Sequence, residues 1–139
     1  YGVEKHRDAN WAFCSPAISV GYQRWWIPDE CDMPHTNRPS HNFENSGEYL
    51  DGLGNKVYVY NASNPIGNFR EGGGTRYDRS HRKASGFGVI TIDSQAKTYT
   101  MDCYRFLCDV SDGKKSNQFP GYPVTIQQKE NRGENVLEA

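Results

Sequence analysis

Hydrophobic and polar positions alternate along several stretches of the chain, and this period of two is typical of β-strands. In NKVYVYNA (residues 55–62), Val57 and Val59 alternate with tyrosines, so both faces of the segment carry large apolar or aromatic groups. That composition predicts a strand that is covered on both sides. PVTIQQ (123–128) shows the same alternation over a shorter length and predicts a further strand.

The strongest alternation lies in GFGVITID (86–93) and TYTMDCYRF (98–106), which flank the short polar turn SQAK. The two arms predict an antiparallel hairpin over about residues 86–106 with one apolar and one wet face. The positions expected on the apolar face are Ile90, Ile92, Tyr99, Met101 and Cys103.

Two stretches rich in Gly, Pro, Asn and Ser favour loops over regular structure. One stretch belongs to a loop-rich aromatic segment that covers residues 1–54. The other is a basic, glycine-rich loop at 64–86, which lies within an antiparallel β portion that covers residues 55–139. The length of 139 residues is typical of one domain. The sequence therefore predicts a single unit of mainly β structure, with long loops, at most short helices and an antiparallel sheet.

Charge and hydropathy exclude two classes of partner. The chain has 16 basic and 17 acidic residues, so it lacks the net positive charge that would attract nucleic acid. We therefore expect no nucleic-acid partner. No apolar run is long enough to cross a bilayer, so no membrane span is expected. Hydrophobic residues make up only 35% of the chain, with 9 Tyr and 6 Phe, so aromatic rings must supply much of the buried area.

Cysteine and histidine positions argue against a metal site formed by this chain alone. The histidines are scattered over different polar contexts, and no CxxC pair is present among Cys14, Cys31, Cys103 and Cys108. These four cysteines could form two disulfides. The alternative is that Cys14 and Cys103 are buried as small hydrophobic residues. No catalytic triad or P-loop is visible either, so we assign no catalytic residue.

The loop at 64–86 concentrates positive charge. Between residues 70 and 83 there are five basic residues against two acidic ones. Guanidinium groups suit phosphate or carboxylate, so the candidate anion contacts are Arg70, Arg76, Arg79 and Arg82. The alternative is a solvated loop whose arginines pair with nearby carboxylates.

YQRWW (22–26) places Arg24 beside Trp25 and Trp26. Adjacent side chains point in different directions on a regular backbone, so one ring is expected in the core and one nearer the surface. An exposed ring beside an arginine could stack on a sugar or a base, or line a pocket. The sequence alone leaves these alternatives open.

Four segments together resemble, in the same order, the C-terminal portion of bacterial alkaline-phosphatase-D-like phosphodiesterases of the calcineurin-like metallophosphoesterase superfamily. They are YGVEKHRDANWAFCSPAISVGYQRWWIPDE, GEYLDGLGNKVYVYNASNP, DRSHRKASGFGVITIDSQAKTYTMDCYRF and QFPGYPVTIQQKENRG, which span nearly the whole chain. The resemblance implies an exported hydrolase acting on phosphate esters, with two divalent metal ions on an α/β sandwich. The sheet of this chain would extend that sandwich.

The resemblance also implies that the metal ligands lie elsewhere. The family's Gly-Asp-x-His-like turn falls just before a segment similar to YGVEKHRDANWAF, and this chain, which opens on Tyr1, contains no such turn. We therefore expect a fragment that binds no metal and is inactive alone. Its partner would be the catalytic portion of its parent chain, with Arg24, Trp25 and Trp26 walling the substrate pocket. Isolated, it would expose apolar surface and self-associate.

A different class of function remains open. The chain could be a non-catalytic carbohydrate- or anion-binding β module of a secreted protein, using Trp25, Trp26 and the basic loop. A purely structural domain without a ligand is the third alternative.

Overall fold

The computed structural model describes residues 11–18, 25–67 and 74–129, apart from the side chains of Tyr77 and His81. These residues form five strands, β1 (Gly47–Leu50), β2 (Lys56–Val59), β3 (Gly86–Asp93), β4 (Thr98–Arg105) and β5 (Val124–Gln127). One helix, α1, spans Arg76–Arg82, and short 3-10 helices span Pro28–Cys31, Val110–Asp112 and Lys115–Asn117. The prediction of mainly β structure with long loops and at most short helices is confirmed.

Strands β3, β4 and β5 form an antiparallel sheet with β4 in the middle. On the face predicted to be apolar, the β3–β4 hairpin places Ile90 opposite Met101. On the other side of β4, Val124 lies opposite Met101. The hairpin predicted at about 86–106 and the strand predicted at 123–128 are both confirmed.

The core lies on one face of this sheet. Met101, Val124 and Ile126 are buried there. Five partly buried aromatic residues pack against them: Trp11, Phe13, Tyr60, Tyr99 and Tyr122. Aromatic rings thus supply much of the cover, as the composition predicts.

The apolar face is uncovered on its β3 side. Ile90 and Ile92 lie on the predicted face, opposite Met101 and Tyr99, but they are 53% and 67% exposed. Met101 is only 6% exposed. Strand β3 is an edge strand, and no described segment packs over its two isoleucines. The alternation therefore predicted the orientation of these side chains correctly, although it did not predict their exposure.

Residues 11–18 contain no helix or strand. Trp11 and Phe13 are half-buried against the core, whereas Cys14 is exposed. The prediction that Cys14 is buried is wrong, because the alternation of an extended chain turns its side chain away from the core. Cys103 is buried as predicted, and all four cysteines are free thiols.

Strands β1 and β2 form a separate antiparallel sheet of two strands. Asp51 stabilises the turn between them, because its Oδ1 accepts hydrogen bonds from the backbone N–H groups of Leu53 and Asn55, both at 2.8 Å. β2 was predicted, although its residues are half-buried and not fully covered. β1 was not predicted, because a strand of four residues gives too short a pattern. The boundary expected between the segment 1–54 and the β portion 55–139 falls within the turn that joins β1 to β2.

Helix α1 lies inside the stretch predicted as a loop at 64–86. A capping box begins it: Asp78 N–H donates to Thr75 Oγ1 at 3.3 Å, and Thr75 N–H donates to Asp78 Oδ2 at 2.6 Å. The sequence signal for this helix is the Thr-x-x-Asp spacing. The glycines and basic residues around it favoured the loop interpretation.

Candidate functional site

Trp25 and Trp26 lie on the surface, and both indole N–H groups are fixed by backbone carbonyls. Trp25 Nε1 donates to the carbonyl of Pro65 at 3.0 Å, and Trp26 Nε1 donates to the carbonyl of Asn45 at 2.9 Å. Trp25 is 41% exposed and Trp26 is 36% exposed. The expectation of one core ring and one surface ring is therefore wrong, since both are partly exposed. Arg24 lies outside the described residues.

The side chain of Asn64 holds the backbone of Trp26. The amide N–H of Trp26 donates to Asn64 Oδ1 at 2.7 Å, and Asn64 Nδ2 donates back to the carbonyl of Trp26 at 2.7 Å. One side-chain amide thus satisfies both a donor and an acceptor of the same residue, as a neighbouring strand would. Together with the bond from Trp25 to Pro65, these contacts attach the tryptophans to residues 62–67, which we call the 62–67 loop.

Tyr49 supports Trp26 from the interior. The two rings meet edge to face at 5.4 Å and 89°, a favourable aromatic geometry. Tyr49 is only 1% exposed, and its hydroxyl is 3.0 Å from both Asp29 Oδ1 and the carbonyl of Ser46. Burial, followed by the hydrogen bond to Asp29, raises the pKa of Tyr49. Its hydroxyl is therefore a fixed donor and not a titrating group near neutral pH.

Asp29 is the centre of the polar cluster beneath the tryptophans. Arg38 Nη2 donates to its Oδ2 at 2.6 Å, and the backbone N–H of Asn45 donates to the same oxygen at 2.9 Å. Burial raises the pKa of Asp29, but the hydrogen bonds from Asn45, Arg38 and Tyr49 lower it by more, so the net pKa lies below its ordinary value. The carboxylate is ionised and its oxygens are occupied, which suits structural support and not general base catalysis.

Three of the four candidate anion contacts lie on α1, at a spacing of three residues. The side chain of Arg79 caps the backbone before the helix, since its Nη1 donates to the carbonyl of Gly74 at 2.9 Å. Arg76 and Arg82 are exposed. Arg70 lies outside the described residues.

The 62–67 loop brings the two predicted sets of residues to one region. The tryptophans bind it through Asn64 and Pro65, as described above. On α1, the carbonyl of Arg82 accepts a 2.9 Å hydrogen bond from the backbone N–H of Ile66. The aromatic residues and the end of the basic helix thus share this loop as a common support.

A small cavity that the sequence pattern did not predict lies beside the same loop. It has a volume of about 130 Å³, and Ser63, Ile66, Ala84, Arg105 and Phe119 are among its lining residues. The guanidinium carbon of Arg105 lies 4.8 Å from the centre of the Phe119 ring. Arg105 follows Met101 and Cys103 on the apolar face of β4. A charged residue at such a position is the sequence signal that could have identified the cavity.

The described residues offer little for covalent or metal chemistry. Within the described ranges, no group of three His, Cys, Asp or Glu side chains is placed to hold a metal ion. Desolvation by burial raises the pKa of Cys103 to about 12, so its thiol is not a nucleophile near neutral pH. No helix in the described part of the chain has the length and apolar character that a bilayer span requires.

No family model, curated protein or solved structure matches this chain.

Proposed function

We propose that this chain is the non-catalytic C-terminal part of a metal-dependent phosphomonoesterase or phosphodiesterase similar to the alkaline-phosphatase-D-like enzymes. In this proposal it packs on the catalytic portion of its own parent chain and walls the active site. The parent is an exported bacterial hydrolase acting on phosphate esters, and this part alone hydrolyses nothing. The observation that carries the proposal is the uncovered apolar edge at β3.

Strand β3 pairs with β4 along its whole length, from Gly86 to Asp93, and no other described strand pairs with it. Its sole charged residue, Asp93, lies at its end. Proteins normally shorten, charge or cover an edge strand, because an exposed one pairs with other chains. The N–H of Gly86 donates to the carbonyl of Ala17 at 3.2 Å, but Ile90 and Ile92 farther along this edge are exposed, which favours a covering layer.

The covering layer that fits this surface is apolar and flat. In a β-sandwich, the inner face of one sheet is covered by the side chains of another layer. The core face here is covered by aromatic rings over β4, β5 and Gly88 of β3, but not over Ile90 and Ile92. We assign the β3 side to the catalytic portion of the parent, so that the two parts share one continuous core.

The tryptophans suit the wall of a pocket because they are both accessible and fixed. Three hydrogen bonds hold residues 25 and 26 to the 62–67 loop, and the ring of Tyr49 supports Trp26. The two divalent metal ions of the parent would be bound by residues of the catalytic portion. When bound, such ions clamp a phosphate ester and activate the attacking water.

The test compares the parent, read from the longer open reading frame, with residues 1–139 expressed alone. We expect hydrolysis of a phosphodiester by the parent with added divalent metal, and none by the isolated chain. In the parent, Trp25→Ala should raise KM more than Phe43→Ala, an exposed aromatic residue not assigned to the wall. Activity of the isolated chain, or a reading frame that begins within a few codons of Tyr1, would overturn the proposal.

The second candidate is a carbohydrate- or anion-binding β module of a secreted protein. The observation that favours it is the partial exposure of both tryptophan rings, since exposed rings that are held rigidly can stack on sugars. A glycan array and a heparin column separate the two functions. Saturable retention of the isolated chain that Trp25→Ala or Trp26→Ala abolishes would favour the module. Absence of retention would favour the phosphoesterase part.

A further inference from the structure

The cavity beside the 62–67 loop has room for a small solute. Its volume is about 130 Å³, whereas roughly 10–15 Å³ of such volume is enough for one water molecule. Its lining combines apolar groups, among them Ile66, Ala84 and Phe119, with polar groups of Ser63 and Arg105. Pockets that bind small molecules typically combine an apolar lining with a few converging polar groups.

Arg105 brings a cationic group to this cavity without an anionic partner. The guanidinium lies over the ring of Phe119 at 4.8 Å, which fixes its position by a cation–π contact. No ion pair or hydrogen bond of its side chain is found among the described residues. A half-buried guanidinium presents five N–H donors in a planar fork, so most of its binding capacity here is unused.

Ser63 is a second polar residue among those that line the cavity. Its Oγ is buried, and it has no hydrogen-bond partner among the described residues. Leaving a buried hydroxyl unsatisfied is costly, so such groups usually bind something that completes them. This Oγ has almost no accessible surface, so a turn of the Ser63 side chain about χ1 would bring its hydroxyl to an acceptor-rich ligand beside Arg105.

The charges around the cavity favour an anion. The nearest acidic residue along β4 is Asp102, which alternation turns to the other face of the sheet from Arg105. Asp102 Oδ1 also accepts a 2.6 Å hydrogen bond from Gln118 Nε2. No described carboxylate therefore occupies the guanidinium.

We propose that this cavity is a binding site for a small oxyanion, a phosphate or a carboxylate group. Arg105 is the cationic partner, and the Ser63 hydroxyl donates a hydrogen bond to an anion oxygen. Phe119 holds the guanidinium in place and forms the apolar floor. The site does not depend on the proposed function, since an inactive chain can still bind an anion.

The experiment titrates the isotope-labelled chain with inorganic phosphate and, separately, with acetate at constant ionic strength, and follows backbone amide shifts by NMR. We expect saturable shifts that are largest for residues of the 62–67 loop and around Arg105. Tighter binding of phosphate identifies a phosphate group as the ligand, and tighter binding of acetate identifies a carboxylate. Either outcome supports the site. If neither anion shifts these resonances, the proposal fails.

Two variants of Arg105 and one control test the role of this residue. Arg105→Gln should weaken binding about tenfold or more, the loss expected when a charge-assisted partner is removed. Arg105→Lys keeps the charge and should bind more weakly than the natural protein but more tightly than Arg105→Gln. The control, Lys97→Gln, changes an exposed basic residue of the β3–β4 turn outside the cavity lining and should leave binding unchanged.

Ser63→Ala separates ligand binding from stability. The Ser63 hydroxyl has no hydrogen bond to lose within the described chain, so this variant should be as stable as the natural protein or more stable. It should nevertheless weaken anion binding several-fold. Unchanged binding in both Ser63→Ala and Arg105→Lys would overturn the proposal, as would equal loss in Arg105→Gln and Lys97→Gln.

Discussion

The hydroxyl of Tyr49 donates a hydrogen bond to Oδ1 of Asp29 at 3.0 Å, across 20 residues of sequence. Arg38 Nη2 and the backbone N–H of Asn45 donate to the other carboxylate oxygen, at 2.6 and 2.9 Å. One carboxylate therefore ties the 3-10 helix Pro28–Cys31 to β1 and to the loop before it. This cluster supports Trp26, because the ring of Tyr49 packs against the ring of Trp26.

Removal of the charge at Asp29 should destabilise the chain more than removal of the Tyr49 hydroxyl. Asp29→Asn leaves Arg38 without its ionic partner and should cost about 2 kcal/mol of unfolding free energy. Tyr49→Phe removes one donor and should cost about 1 kcal/mol. Urea unfolding measures both. The control is Asp32→Asn, an exposed acid of the same turn, which should change stability by less than about 0.5 kcal/mol. Equal effects at residues 29 and 32 would contradict this account.

The stability of the fold should depend on pH because of the carboxylate of Asp29. Burial raises the pKa of Asp29, but its hydrogen bonds lower it by more, to below the ordinary value of 3.8. Asp29 therefore stabilises the fold fully above about pH 4, and this contribution is lost as the pH falls through the lower pKa of the folded state. The urea midpoint of the natural protein should fall more steeply below pH 4 than that of Asp29→Asn. Parallel curves for the two proteins would contradict the prediction.

The three-stranded sheet could be predicted from the sequence because its pattern is local. Eight alternating positions on each arm of the β3–β4 hairpin specify both the pairing and the face, and a single register places Ile90 opposite Met101. Helix α1 carried an equally local signal in Thr75 and Asp78, but glycine and arginine dominated the interpretation of that stretch.

The candidate site could be predicted only in part because it depends on distant contacts. Trp25 and Trp26 were identified by their residue type, since large aromatic rings next to each other are rarely all buried. Their position depends on Asn64, which lies 38 residues from Trp26 and has no periodic relation to it. Ser63 and Arg105 likewise meet only in the folded chain, so spacing alone could not join them.

Gly88 is required for the packing of the N-terminal segment on β3. A Cβ atom at this position would lie 2.6 Å from Phe13 Cε1 and 2.8 Å from its Cζ, closer than carbon atoms can approach. Gly88→Ala should therefore displace the Phe13 ring and cost about 1–3 kcal/mol, measured by urea unfolding. The control, Gly52→Ala, places a Cβ in open space and should have little effect. A neutral Gly88→Ala would show that Phe13 does not pack on β3 in solution.

The exposed and the buried cysteines should differ in their reaction with a thiol reagent. Cys14 and Cys31 are exposed and should be alkylated quickly at pH 8. Cys103 is buried, and desolvation raises its pKa to about 12, so it should react only after unfolding. Mass spectrometry of the native and the urea-unfolded chain measures the order of labelling. Early labelling of Cys103 would contradict the burial of β4 in the core.

The exposed isoleucines of β3 should control self-association of the isolated chain. Replacing both Ile90 and Ile92 by Thr keeps β-branched side chains while removing apolar surface, so the sheet should remain within about 1 kcal/mol of its natural stability. Sedimentation velocity should show the natural chain associating with rising concentration and the double variant remaining monomeric. The matched control is Val110→Thr, an exposed apolar residue in a 3-10 helix away from β3, which should associate like the natural chain. If the natural chain is monomeric at every concentration, or if Val110→Thr removes association equally well, the β3 edge is not the surface on which another layer packs.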